Sequence, residues 1–281
     1  MSMGRPPCGQ VGVDEALWAK LCEEVAVAAA STLEATRSVS IKADQSPVTD
    51  ADERSQAILM DAVARLMPGI AVVSEETAIR PSRLGDLFIL IDPLDGTKEF
   101  VAGSSEYTVN VAIIRDRVPV AGIVAVPAAG LIYRGRVRQG AERLAMSACR
   151  DAGGFAAACP IRVRTPHRGG IVAAVSRSHL DSATVALLDR LNIGDRIACG
   201  SALKFCRIAE GAADIYPRLA PTCEWDVAAG HALVAAAGGT VTLADGGALR
   251  YGETAPDFRV PAFIAWGDRA RVLDAARAVR K

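Results

Sequence analysis

The residues with most chemical content lie in Ile91-Asp92-Pro93-Leu94-Asp95-Gly96-Thr97-Lys98-Glu99-Phe100. An apolar run delivers Asp92, Pro93 forces a turn, and Asp95 comes round close to Asp92. Two carboxylates so close repel each other unless a cation lies between them. Gly96 can take a backbone conformation closed to other residues, so its N–H and that of Thr97 can point at one anion. A lone Asp-x-x-Asp is more often a helix-capping turn, with Asp95 or Thr97 as the cap. Two further segments weigh against that plainer reading. Val72-Val73-Ser74-Glu75-Glu76 also brings carboxylates to the end of an apolar run. Trp225-Asp226 opens an alanine-rich helix, where the plainer role for Asp226 is N-cap or dipole partner. Together Glu75, Asp92, Asp95 and Asp226 offer hard oxygen ligands with no His or Cys among them, a set that suits magnesium and disfavours zinc or iron. Carboxylates beside open, phosphate-facing amides are what a two-metal phosphoester hydrolase requires.

The elements that must position these residues follow from periodicity. Val13 to Thr36 carries Leu17, Leu21, Val25 and Ala28 at helical spacing. Thr49 caps a second helix ending near Leu66, before Pro68-Gly69. Strands are expected at Ile70 to Val73, Leu87 to Ile91, Val109 to Ile114, Val120 to Val126 and Leu131 to Tyr133. In the second half, Ile171 to Val175 and Phe263 to Trp266 read as strands. Asp181 to Leu191, Ser201 to Glu210, Asp226 to Ala237 and Asp268 to Val279 read as helices. Sheets and helices in joined layers are implied. A Rossmann fold is not, because no GxGxxG follows a strand.

With 281 residues the chain is long enough for one large domain or two joined ones. Lys plus Arg (32) balances Asp plus Glu (32), so no global field draws in nucleic acid or an acidic membrane surface. Aromatic residues make up 5%, too few for a base-stacking platform. The seven cysteines are scattered singly, with no zinc spacing, and read as free thiols of a reducing compartment. The first ten residues lack a secretory apolar run, and Val25 to Ala30 is too short to span a bilayer, so the expected location is cytoplasmic.

The separated motifs Ser46-Pro47-Val48-Thr49-Asp50-Ala51-Asp52, Ser74-Glu75-Glu76, Asp92 to Phe100, Val175 to His179, Gly200 to Cys206 and Trp225 to Gly230 resemble the lithium-sensitive, magnesium-dependent phosphatase superfamily of inositol monophosphatase and fructose-1,6-bisphosphatase. Within it, Lys98-Glu99-Phe100 is similar to the CysQ-type branch of 3'(2'),5'-bisphosphate nucleotidases. The resemblance implies an α/β (α+β) fold of the layered αβαβα sugar-phosphatase type. It implies a metal- and phosphate-binding half (residues 1–160) and a substrate-recognition half (161–281) in one catalytic unit. It also implies two or three magnesium ions. Glu75, Asp92 and the Leu94 carbonyl would hold the first; Asp92, Asp95 and Asp226 would hold the second.

From chemistry alone, Asp52 with Thr49 completes a capping pattern, and Asp50 competes for the role of base. The resemblance selects Asp52, with Thr97, to activate water, and assigns the Gly96 and Thr97 amides to the phosphate. His179, Ser201 and Lys204 match nucleotide-holding positions and Arg218 is a further candidate contact, although Lys204 and Arg218 also read as ordinary solvated charges. The implied reaction removes the 3'-phosphate of adenosine 3',5'-bisphosphate, in sulfate assimilation. A sugar or inositol monophosphatase, or an inactive binding protein on the same fold, are the alternatives. The implied partner is a small phosphate ester.

Overall fold

Helix α1 (Glu15–Glu34) begins after Asp14, whose side chain accepts the Ala16 N–H. A short antiparallel hairpin, β1 (Val39–Ile41) and β2 (Pro47–Thr49), leads into α2 (Asp50–Leu66) with Thr49 as N-cap. The structure, a computed structural model, describes residues 14–41, 47–77, 81, 84–149, 157–165, 170–178, 180–254 and 257–272.

The large sheet runs in chain order: β3 (Ala71–Ser74), β4 (Leu87–Asp95), β5 (Thr108–Arg115), β6 (Val118–Val126), β7 (Leu131–Arg136), β8 (Gly140–Ala145) and β9 (Cys159–Ile161). Only β3 and β4 pair in parallel; the other ladders are antiparallel. The five-residue α3 (Thr97–Val101) follows β4.

The second sheet comprises β10 (Val172–Ser176), β11 (Asp195–Cys199), β12 (Ile215–Arg218), β14 (Thr240–Leu243) and β16 (Phe263–Trp266), in the order β11-β10-β12-β16-β14. The pair β13 (Thr222–Cys223) and β15 (Arg259–Val260) lies apart from it. Helices α4 (Ser182–Arg190), α5 (Leu203–Ala209) and α6 (Glu224–Ala236) complete the set.

Strand alternation sorts the core into three layers of contact. On β4 and β5, Ile89, Ile91, Val109, Val111 and Ile113 pack with Leu21 and Val25 of α1 and Leu59 and Val63 of α2. The opposite side chains, Phe88, Leu90, Ala112 and Ile114, join Phe205 of α5, Leu233 of α6 and Phe263 of the second sheet. The outer face of that sheet buries Ala173, Ile215 and Ile264 under Leu187 and Leu188 of α4. The order is helix, sheet, helix, sheet, helix, as the resemblance implied. Helix α6 lies close on the large sheet because β6 carries Gly122, where an added Cβ would meet the Ala229 carbonyl oxygen at 2.4 Å.

Several expected boundaries change. The strand expected to end at Ile91 continues to Asp95, and its ladder with β5 shifts register between Asp92 and Asp95. Pro93 therefore makes no turn; it sits in a β-bulge, one of the few places where a sheet tolerates a residue without an N–H. Strands β8, β11, β12 and β14 lie where no strand was expected, and the helix expected from Asp226 begins at Glu224. The expected closing helix starts as a 3-10 turn, Arg269–Arg271; residues 273–279, like Val13, lie outside the described residues. No helix among the described residues is long and apolar enough to cross a membrane.

Candidate active site

The bulge in β4 places two acids on one wall. Residues three apart on a regular strand point to opposite faces. Here Asp92 pairs with Asn110 and Asp95 with Thr108, so Pro93 and Leu94 together oppose the single residue Val109. The extra residue restores the phase, and both acids line a cleft of about 250 Å³. The Leu94 N–H donates to Asp92 Oδ1 at 3.1 Å.

Glu75 reaches the same cleft from the end of β3. Its N–H extends the ladder to the Ile91 carbonyl (3.2 Å), and a turn from Ser74 O to Thr77 N closes behind it. Gln56 of α2 braces that turn, accepting from Ser74 Oγ and donating to Thr77 Oγ1. Asp226 comes from the first turn of α6, where Oδ2 accepts the Cys223 N–H at 2.9 Å and the Thr222 hydroxyl. Carboxylate oxygens of Glu75, Asp92 and Asp226 lie within 4.8 Å of one another.

This concentration of charge shows in the titration of the acids. Burial, then the neighbouring Glu75, Asp95, Asp226 and Asp52, hold the Asp92 carboxyl well above the usual carboxylate range. Burial and Asp226 push Asp95 up to about 7 against the pull of Lys204. Asp92 Oδ2 is buried and has no hydrogen-bond partner. Oxygen-only donors, crowded and incompletely paired, fit a hard divalent cation.

Asp52 and Thr97 meet at the edge of the acids, with Thr97 Oγ1 3.3 Å from Asp52 Oδ1. Asp52 Oδ2 accepts the Thr49 N–H at 2.8 Å and the Thr49 hydroxyl at 2.5 Å. Its capping role and its contact with Thr97, which lines the cleft, therefore coexist. Asp50 is instead tied to Arg54 on the exposed side of α2. Gly96 stands at φ +93°, the left-handed N-cap of α3, and an added Cβ would meet Ser201 Oγ at 2.3 Å.

The substrate-facing residues fare differently. Ser201, itself at φ +51°, turns its hydroxyl to the carbonyls of Asp95 (2.8 Å) and Glu106 (3.0 Å), joining the two halves of the cleft. Lys204 is not a solvated charge: it is 4% exposed, donates to Ser201 O at 2.5 Å and lies 5.2 Å from the Tyr216 ring centroid. Burial lowers its pKa, and Asp95 opposes that shift. Arg218 lines the cleft and donates Nε to the Ala220 carbonyl at 3.2 Å. His179 lies outside the described residues.

Residues to which the sequence assigns no role also hold the site. Glu106 accepts both arms of Arg177 (2.7 and 2.8 Å) and the Gly200 N–H (2.9 Å), and Ser178 donates to Glu99 at 2.5 Å. Glu106 carries no local signal, since its partners lie more than 70 residues away. Thr222, one residue before the Cys223 N-cap of α6, donates its hydroxyl to Asp226.

A model of the inositol monophosphatase family matches residues 12–276. The chain is 38% identical to the 3'(2'),5'-bisphosphate nucleotidase CysQ of Escherichia coli (strain K12) over 212 residues, 75% of this chain and 81% of that one. It is 31% identical to the histidinol-phosphatase of Mycobacterium tuberculosis over 230 residues, covering 77% and 82%. The crystal structure of CysQ from Bacteroides thetaiotaomicron superposes with a TM-score of 0.73 at 30% identity, covering 92% of this chain and 98% of that one. The chain belongs to the inositol monophosphatase family.

Proposed function

We propose that this chain is a magnesium-dependent phosphomonoesterase that removes the 3'-phosphate of adenosine 3',5'-bisphosphate to give AMP and phosphate. The observation that carries the reading is the convergence of Glu75, Asp92 and Asp226 within 4.8 Å beside the Asp52–Thr97 pair. Glu75, Asp92, the Leu94 carbonyl, Asp95 and Asp226 would hold two or three Mg2+ ions, with Asp92 shared. Bound there, the ions would supply charge neutralisation of the phosphate and a water made acidic enough to attack.

The chain's own residues do the rest. Thr97 Oγ1, donating to Asp52 Oδ1, presents an acceptor to the attacking water, and Asp52 takes the proton. The Gly96 and Thr97 N–H groups, at the left-handed turn into α3, receive the phosphate oxygens. Lys204 and Arg218 on the facing wall supply positive charge for a second phosphate, and Ser201 fixes Lys204 through its carbonyl. His179 completes the nucleotide contacts in this reading. Residues 1–160 would supply the phosphate-binding amides and every metal-holding group but Asp226, and 161–281 would supply Asp226 and the contacts to the rest of the substrate. The six described free cysteines suit a cytoplasmic enzyme, and sulfate assimilation is the setting that the CysQ likeness supports.

The second reading, a monophosphatase for a smaller alcohol, is favoured by the likeness to histidinol-phosphatase. Phosphate release with Mg2+ from adenosine 3',5'-bisphosphate, inositol 1-phosphate and histidinol phosphate separates the two. The proposal expects the highest kcat/KM on the bisphosphate; preference for either monophosphate overturns it.

A further inference from the structure

Behind the acids lies a second polar pair. Across the β4–β5 ladder Asp92 faces Asn110 and Asp95 faces Thr108, and opposed side chains on one face lie within contact range. Alternation puts Asn110 and Thr108 on the face of Ala112 and Ile114, which belong to the core between the sheets. The two acids line the cleft, whereas Asn110 is 1% exposed and Thr108 fully buried. Neither amide atom of Asn110 nor the Thr108 hydroxyl has a hydrogen-bond partner, and Asp92 Oδ2 opposite has none. On the other side Asn110 pairs with Val124 of β6, in apolar surroundings where a valine or leucine would pack well. Native proteins pair the great majority of buried polar groups, so three neighbouring side chains with unpaired atoms call for a common partner.

We propose that Asn110 and Thr108 are positioning residues for the acid cluster, joined to Asp92 Oδ2 through one enclosed water. The Asn110 amide and Thr108 hydroxyl hold that water, and the water donates to Oδ2, giving it the several polar partners a buried water needs. Leu94 N–H already fixes Oδ1. With both oxygens held, the plane of the carboxylate is set and its remaining lone pairs face Glu75 and Asp226. Neutral donors suit this place: a buried Lys or Arg would orient Asp92 equally well but would cancel the charge that attracts a cation. The inference rests on the metal-site reading above and extends it to residues outside the cleft.

Calorimetric titration with Mg2+ alone, together with melting of the metal-free protein, tests it on wild type, Asn110→Leu, Thr108→Val and Thr108→Ser. Asn110→Leu and Thr108→Val are expected to bind Mg2+ about 10- to 100-fold more weakly while melting at or above the wild-type temperature. Thr108→Ser, which keeps the hydroxyl, is expected to bind like wild type. A purely structural role predicts wild-type affinity in the folded variants, and that result overturns the proposal. If Asn110→Leu does not fold, the nearly isosteric Val and Ser variants at Thr108 decide alone. Wild-type protein that takes up no Mg2+ overturns the metal site itself.

Discussion

Thr97 Oγ1 lies 3.3 Å from Oδ1 of Asp52, across 45 residues of chain. The other oxygen of the same carboxylate holds the start of α2 through Thr49. One side chain thus anchors a helix and reaches the cleft through the Thr97 hydroxyl. The two bonds from Thr49 hold the carboxylate whose other oxygen faces the Thr97 hydroxyl.

If Asp52 and Thr97 act as a unit, removing either should lower kcat by about 10²- to 10⁴-fold with little change in KM. Thr97→Val and Asp52→Asn each test this. The double variant should be no worse than Asp52→Asn alone, since effects within one unit do not add. Multiplicative losses would separate the two residues. Asp52→Asn should also melt lower, by the worth of a weakened cap, about 1 kcal/mol.

The cluster was legible because three of its acids end apolar runs or open a helix, patterns that local sequence carries. Its geometry was not. Pro93 reads as a turn because it lacks an N–H, yet the pairing of Asp95 with Thr108 carries the strand past it, and this long-range ladder aligns the acids. Asp52 looked ambiguous because a carboxylate has two oxygens and both plain roles are filled. Strand β11, Asp-Arg-Ile-Ala-Cys, has no clean alternation because most of it is exposed at the sheet edge. Ser201 lines the cleft, and its hydroxyl donates to carbonyls about 100 residues away in the chain, contacts that local sequence does not carry.

Lys204 should distinguish substrates. Lys204→Met keeps the buried stem and removes the charge. A charge-assisted contact to a second phosphate is worth about 1.5–3 kcal/mol. The variant should therefore lose roughly 10- to 150-fold in kcat/KM on adenosine 3',5'-bisphosphate and little on adenosine 3'-monophosphate. Equal loss on both would place Lys204 in service of Asp95 instead.

His231 is expected to contribute to acid lability. Its Nδ1 lies 3.0 Å from the Tyr251 hydroxyl, and burial lowers the imidazole pKa from 6.5 to about 3. Below pH 6.5 the unfolded chain binds a proton that the folded chain refuses until about pH 3. Stability should fall as pH drops through that window, by up to about 1.4 kcal/mol per pH unit from this group. His231→Gln should flatten that part of the curve. Denaturant melts at pH 7 and 5 provide the check; an unchanged pH slope in the variant would contradict the assignment.

The central claim is that Glu75, Asp92 and Asp226 form a cation site on which turnover depends, and Asp92→Asn tests it most directly. Ionised Asp92, crowded by like charges, costs the metal-free protein stability above the usual carboxylate range. In the chelated state the variant should melt above wild type. Added Mg2+ should raise wild-type melting by the free energy of binding, about 2.7 kcal/mol at 100 times its dissociation constant, and should barely move the variant. Phosphate release by the variant should be nearly abolished. The measurement is therefore melting of both proteins with and without Mg2+, paired with turnover. A variant that keeps the wild-type Mg2+ shift and wild-type turnover would contradict the account.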